Sequence, residues 1–386
     1  MKTEKLFVTK FAASTDKFEG VINLRVDLID NFRAMAMMYV IFIHAMFWLG
    51  LFPFAREYST FFLIEMPLFF IVTGMAHTFA RTDDLIKFYI SRAKRLLIPF
   101  WIFAFICASA NLLFGMSENI YPKNLSIVKE IFSEWLNPFG TMPSKIPFLN
   151  FATWFIPVYL LIMVIIPFLK RLSNLRGGVW KIISLVPLLA IPLLVFIFQQ
   201  YITVSDLIKQ VTFYSFWVYA GFFLHDIKNI EFKIKLPYCI SLIIFSVIMM
   251  FVLHNNFGVG FNMQANKFPP NAMFLFFNLA MMSILFLFCK PLNDFLNFIS
   301  SIKYLGKVFK TYRDFCYTVY LYHPFAFFIL LKIAEKLEIV PTLHEHTLLT
   351  LIIVVPLLIV SASIIAGIFS RFENLWRVKK VNHNEI

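Results

Sequence analysis

The chain has 386 residues, 60% of them hydrophobic and 50 of them Phe, with a mean hydropathy of +0.76 and a formal net charge of +13. That much apolar surface exceeds what a soluble domain of this length requires, and the long apolar runs punctuated by basic clusters are those of a polytopic α-helical membrane protein. A nucleic-acid-binding role is excluded, because no soluble segment is long enough to carry a basic surface.

Residues 1–30 are mixed and charged, with no apolar core or small-residue cleavage site of a secretory signal. They are expected to form a cytoplasmic tail resting on the lipid surface through Phe7, Phe11 and Phe18. Ten spans follow, near 32–52, 59–80, 96–115, 152–169, 182–200, 210–225, 237–254, 271–289, 314–333 and 347–369. The predicted fold is all-α: about ten transmembrane helices around a central polar tunnel, forming one membrane domain over 31–370. Residues 371–386 make a basic cytoplasmic tail. Most Lys and Arg fall on the side of the N-terminus, so both termini are placed in the cytoplasm and the protein in a bacterial inner membrane.

The first span carries Arg33 and His44, eleven residues apart. Eleven steps overshoot three helical turns by about 20° and advance about 16 Å, so both side chains share one face. With Arg33 at the inner rim, His44 lies near mid-bilayer. An Arg there is by itself an ordinary topology anchor, and a lone His packs readily on a carbonyl. The pair becomes informative when other spans supply partners at the same depth. Glu65, six residues below the outer end of the second span, is one, and is expected to orient the imidazole. His323 in the ninth span is another, with Tyr317 and Tyr320 leading to it at i, i+3 and i+6 and Pro324 following.

Arg92 and Arg95, at i and i+3 before the third span, form a guanidinium fork suited to phosphate; positive-inside anchoring explains them equally well. In the outer loop 116–151, the segment 126–136 gathers Ile127, Val128, Ile131, Phe132, Trp135 and Leu136 on one helical face. It is read as an interfacial helix, with a cavity cover as the alternative. Trp154 and Pro157 sit near the outer end of the fourth span. Cys107, Cys239, Cys289 and Cys316 have no metal spacing and are read as packing residues, and no metal site is expected. His77, below Thr73 and Gly74, is an outside candidate for the donor route.

Together these elements resemble the integral-membrane acyltransferase-3 family, whose members O-acylate cell-surface sugars. The likeness runs from NFRAMAMMYVIFIH (31–44) to YTVYLYHPF (317–325). Arg33 and His44 match its Arg, ten residues, His signature. FFIVTGM (69–75) matches its second-span phrase with Thr73 in place of Ser. Arg92, Arg95 and Pro99 match its Arg-x-x-Arg-x-x-x-Pro run, and Trp154, Phe155 and Pro157 its Trp-aromatic-x-Pro element. Tyr317, Tyr320, Leu321 and His323 match its late Tyr-x-x-Tyr-Leu-x-His, while NKFPP (266–270) is a softer match to a Lys-aromatic-Pro-Pro element.

The resemblance implies transfer of an acyl group, usually acetyl, from cytoplasmic acyl-coenzyme A to a hydroxyl of a glycan or lipid-linked sugar. Arg33, Arg92 and Arg95 would hold the coenzyme. His44, Glu65 and His323 would serve catalysis, with His44 as general base or transient acyl carrier. Trp154, Tyr317 and Tyr320 would line the acceptor site. Some members carry an appended esterase-like domain that finishes the transfer, and none is expected here. Lipid is a further partner, nucleic acid is not, and self-association stays open. A secondary transporter using buried Glu and His is the alternative, for which no internal repeat is found. A scaffold would leave two mid-membrane histidines unexplained.

Overall fold

The computed structural model describes residues 27–49, 60–80, 82–174, 178–198, 204–227, 231–345 and 347–374. The N-terminal tail up to residue 26, with its three Phe, and the tail beyond 374 lie outside the described residues. Among those described there is no strand. The chain begins with α1 (Asp27–Trp48), a short 3-10 turn (Thr60–Phe62), α2 (Glu65–His77), α3 (Leu85–Ser117) and α4 (Leu125–Leu136). It continues with α5 (Phe155–Ser173), α6 (Gly178–Phe198), α7 (Asp206–Ile227), α8 (Phe232–Phe257), α9 (Met263–Lys267) and α10 (Ala272–Leu287). It ends with α11 (Cys289–Ser301), α12 (Lys303–Asp314), α13 (Cys316–Lys336), α14 (Val340–Glu345) and α15 (Thr347–Asn374).

Seven of these helices are long and apolar enough to cross a membrane, eight if α10 and α11, bent by 67° at their junction, count as one span. The ten expected spans each fall on a helix. Two fall outside that count: α6, in which the described side chains form an apolar stretch over Ile183–Leu194, and α7, which carries Asp206, Lys209 and Gln210 in its first turns. A crossing count of seven or eight therefore stands beside the expected ten.

Local chemistry starts and stops these helices. Asp84 caps α3 by accepting from the Lys87 amide, Asn124 caps α4 and Asn271 caps α10 in the same way. Gly258, at φ +66°, ends α8 in the left-handed conformation that suits glycine. At 33 residues α3 is about 50 Å long, longer than the ~30 Å of a hydrocarbon core, so its first turns project beyond the apolar slab. Arg92 and Arg95 ride on that projecting end, already helical rather than in a connecting loop.

Helices α2 and α7 cross at glycines. A Cβ on Gly74 would stand 2.0 Å from the Val218 carbonyl oxygen, and one on Gly221 would stand 2.1 Å from that of Ile71. Only hydrogen at both positions allows this approach, which sets the azimuth of Glu65 at the head of α2. At the other end of the bundle, Asn31 donates to Asn293 and Asn297 (3.0 and 2.7 Å), tying α11 to the first turn of α1. Arg313 pairs with Asp27 at 2.8 Å. Helices α1 and α13 thus run side by side from this basic end.

The expected surface helix is α4, with Ile131 and Trp135 buried and the Trp135 indole donating to the Pro143 carbonyl. None of its residues lines the cavity that His44 borders, whereas Phe151, Ala152 and Trp154 of the segment after it do.

Candidate active site

Where α1 and α13 lie together, His44 Nδ1 and His323 Nε2 are 2.8 Å apart. His323 Nδ1 is 2.6 Å from the Tyr320 carbonyl oxygen. A carbonyl only accepts, so His323 Nδ1 carries a hydrogen, and with both rings neutral its Nε2 is an acceptor. His44 Nδ1–H therefore donates to it, which leaves a lone pair on His44 Nε2. Stacking fixes the rings as firmly as the hydrogen bonds do. Trp48, one turn beyond His44, lies parallel to it at 3.9 Å and is held in turn by Phe148 and Phe327. Histidine and indole share the i, i+4 relation, a signal present in the sequence and not used there.

His44 lines a cavity of about 370 Å³ together with Trp48, Glu65, Trp154, Lys267 and Tyr320. The expected Glu65–His44 contact does not form. Glu65 Oε1 instead accepts from Lys267 Nζ, an ion pair in which the two side chains are only 2% and 6% exposed. The α2–α7 crossing points Glu65 at the α9 turn, while α13 supplies the imidazole partner. Glu65 Oε2 is buried and has no protein partner among the described residues. Lys267 also lies 6.0 Å over Trp154 and 5.2 Å over Phe268, so NKFPP carries one half of the pair.

At the basic end a second cavity, about 280 Å³, is lined by Arg33, Arg92, Arg95, Arg313, His77 and Tyr317 among others. Arg33 is held by Asp30 at 2.5 Å and donates to the Arg313 carbonyl at 3.1 Å. Arg92 rests over the Phe88 ring at 5.5 Å. His77 bonds the Thr73 carbonyl through Nδ1 at 2.8 Å, and its Nε2 is buried without a protein partner among the described residues. Arg313, not singled out in the sequence, lies three residues before Cys316 at the head of α13, and that position brings it into this wall.

Phe155 and Tyr320 stand between the two cavities. Phe155 lines the basic one, Tyr320 the other, and their rings meet edge to face at 5.1 Å. Two tyrosines expected at the acceptor separate here. Tyr320 lines the histidine cavity but donates its hydroxyl to the Ala152 carbonyl. Tyr317 lies in the arginine cavity and donates to the Leu96 carbonyl at 3.0 Å. About five sixths of a turn and 4.5 Å of rise are not enough to keep both on one side once α13 packs against α3 and α5.

The sequence pattern of a family described as an acyltransferase domain, the acyltransferase-3 family, matches residues 26–371. No curated protein and no solved structure matches the chain.

Proposed function

This chain belongs to the acyltransferase-3 family, and on that premise we propose that it moves an acyl group, acetyl in the simplest case, from acyl-coenzyme A to a hydroxyl of a cell-surface or lipid-linked glycan. The observation that carries the reading is the free lone pair on His44 Nε2, backed by the hydrogen bond to His323. In this scheme His44 Nε2 takes the proton of the acceptor hydroxyl. The oxygen attacks the thioester carbonyl, a C–O bond forms, and the C–S bond breaks. The departing thiolate recovers the proton from His44. An imidazolium at His44 is steadied meanwhile by sharing Nδ1–H with His323.

Glu65 and Lys267 suit an acceptor rich in hydroxyls. Their mutual pairing leaves little net charge, and Glu65 Oε2 is a buried acceptor with no donor among the described residues. Trp154 beside them offers a flat apolar face for a sugar ring. At the opposite end Arg92 and Arg95, with Arg33, match the phosphates of a coenzyme entering from the cytoplasm. Its acyl-bearing arm then points past Phe155 and Tyr320 towards His44.

The test is purified protein in lipid vesicles, given labelled acetyl-coenzyme A and a glycan acceptor. Free thiol and labelled glycan should appear together and vanish in His44→Ala. Equal thiol release from wild type and His44→Ala would overturn the reading. Label retained on the protein after donor alone would identify an acyl group carried on the same nitrogen.

A further inference from the structure

A third cavity, about 410 Å³, borders the arginine cavity and shares Arg313 and Asp314 with it as a common wall. Its other lining residues include Lys303, Lys307 and Lys310. From Lys303 the residues Gly306, Lys307, Lys310 and Arg313 fall at i+3, i+4, i+7 and i+10, within about 120° of arc. The three lysines and Arg313 thus form one row about 15 Å long on α12, leading to the arginine cavity. Gly306 makes the floor possible: a Cβ there would stand 2.2 Å from the Ser300 carbonyl oxygen, so glycine lets the end of α11 close against α12. Among the described residues none of the three ammonium groups has a carboxylate within 4.0 Å, although Arg33 and Arg313 in the neighbouring wall do. Among the described residues that line it, the only carboxylate is Asp314, at the shared wall beside Arg313.

We infer that this row is a second anion site for the acyl donor, and that it binds a phosphomonoester at the far end of the nucleotide. The inference rests on the acyl-coenzyme A reading above. A donor carrying one diphosphate would be served by Arg92 and Arg95. A separate cluster some way along α12 calls for a second, more highly charged group. The 3′-phosphate of coenzyme A is such a group, carrying about −1.5 to −2 at neutral pH. Lysines on flexible stems suit a monoester that presents three equivalent oxygens, as the planar guanidinium fork suits the diphosphate. The enzyme would therefore distinguish coenzyme A thioesters from those lacking this phosphate, including phosphopantetheine thioesters on a carrier protein.

The experiment compares acetyl-coenzyme A with its 3′-dephospho analogue on the reconstituted protein, reading thiol release. Wild type should prefer acetyl-coenzyme A about tenfold in kcat/KM, the worth of one set of charge-assisted contacts. In the variant carrying Lys303→Gln, Lys307→Gln and Lys310→Gln together, that ratio should fall towards one. Both donors are measured on the same preparation, so a loss of folded protein cancels in the ratio. A wild type that does not discriminate, or a variant that keeps the wild-type ratio, overturns the inference. Lysines serving an acidic lipid headgroup instead would give that second result, with turnover that depends on the phosphatidylglycerol content of the vesicles. Absence of thiol release from either donor would strike the proposed function itself.

Discussion

His44 and His323, 279 residues apart in sequence, share a 2.8 Å hydrogen bond in which the first ring's Nδ1 faces the second ring's Nε2. The relation is directional, because the Tyr320 carbonyl sets the proton on His323 and His323 in turn sets it on His44.

The two imidazoles should therefore lose activity unequally. His44→Ala removes the base and is expected to lower kcat by about 10²–10⁴. His323→Ala leaves the base in place but frees its tautomer and its ring, and should lower kcat by a smaller factor with KM for the donor little changed. Thiol-release kinetics on both variants check this. A His323 variant as inactive as His44→Ala would mean that His323 itself meets the substrate.

The buried Glu65–Lys267 pair predicts strong coupling. Lys267→Met strands a carboxylate in an apolar setting and should cost about 3–5 kcal/mol, whereas adding Glu65→Gln should recover most of that loss. Unfolding of the two single variants and the double in detergent gives the cycle. Additive effects would show that the two side chains stand independently.

Glycine at the α2–α7 crossing should be irreplaceable, whereas Gly367 should not be. Gly74→Ala would push a methyl into the Val218 carbonyl, costing about 1–3 kcal/mol by forced separation of the helices. Gly367→Ala, where nothing lies within 4 Å, should be neutral or stabilising by up to about 1 kcal/mol through helix propensity. Thermal unfolding of both variants tests the contrast; equal shifts would deny the close approach.

The segment after α4 should loosen in acid. Glu134 accepts from the Thr141 backbone amide at 2.8 Å and from its hydroxyl at 2.9 Å, which hold the carboxyl below its ordinary range. A lowered folded-state value stabilises the segment above the unfolded value of about 4.3, and that contribution fades as pH falls through the folded value. Hydrogen exchange at the Thr141 amide should accelerate over that window in wild type. In Glu134→Gln the acid-dependent part should be missing, and an unchanged profile would assign the tether elsewhere.

Much of this was legible along the chain. Apolar runs placed a helix at each expected span, and the rise per residue set Arg33 at one end of α1 with His44 about three turns away on the same face. The same arithmetic put Glu65 and His323 at comparable heights. Height is a local property, so periodicity and composition report it. Azimuth is not. Whether His44 meets Glu65 or His323 depends on how α1, α2 and α13 are turned about their axes. That rotation follows from contacts such as Gly74 against Val218 and Asn31 against Asn293 and Asn297. Lys267 joining Glu65 from 202 residues away, Arg313 entering the arginine wall, and Tyr317 parting from Tyr320 all belong to the same class. Each was decided by tertiary packing, because a side chain's neighbours across a bundle are chosen by the fit of whole helix faces and not by the spacing within any one of them.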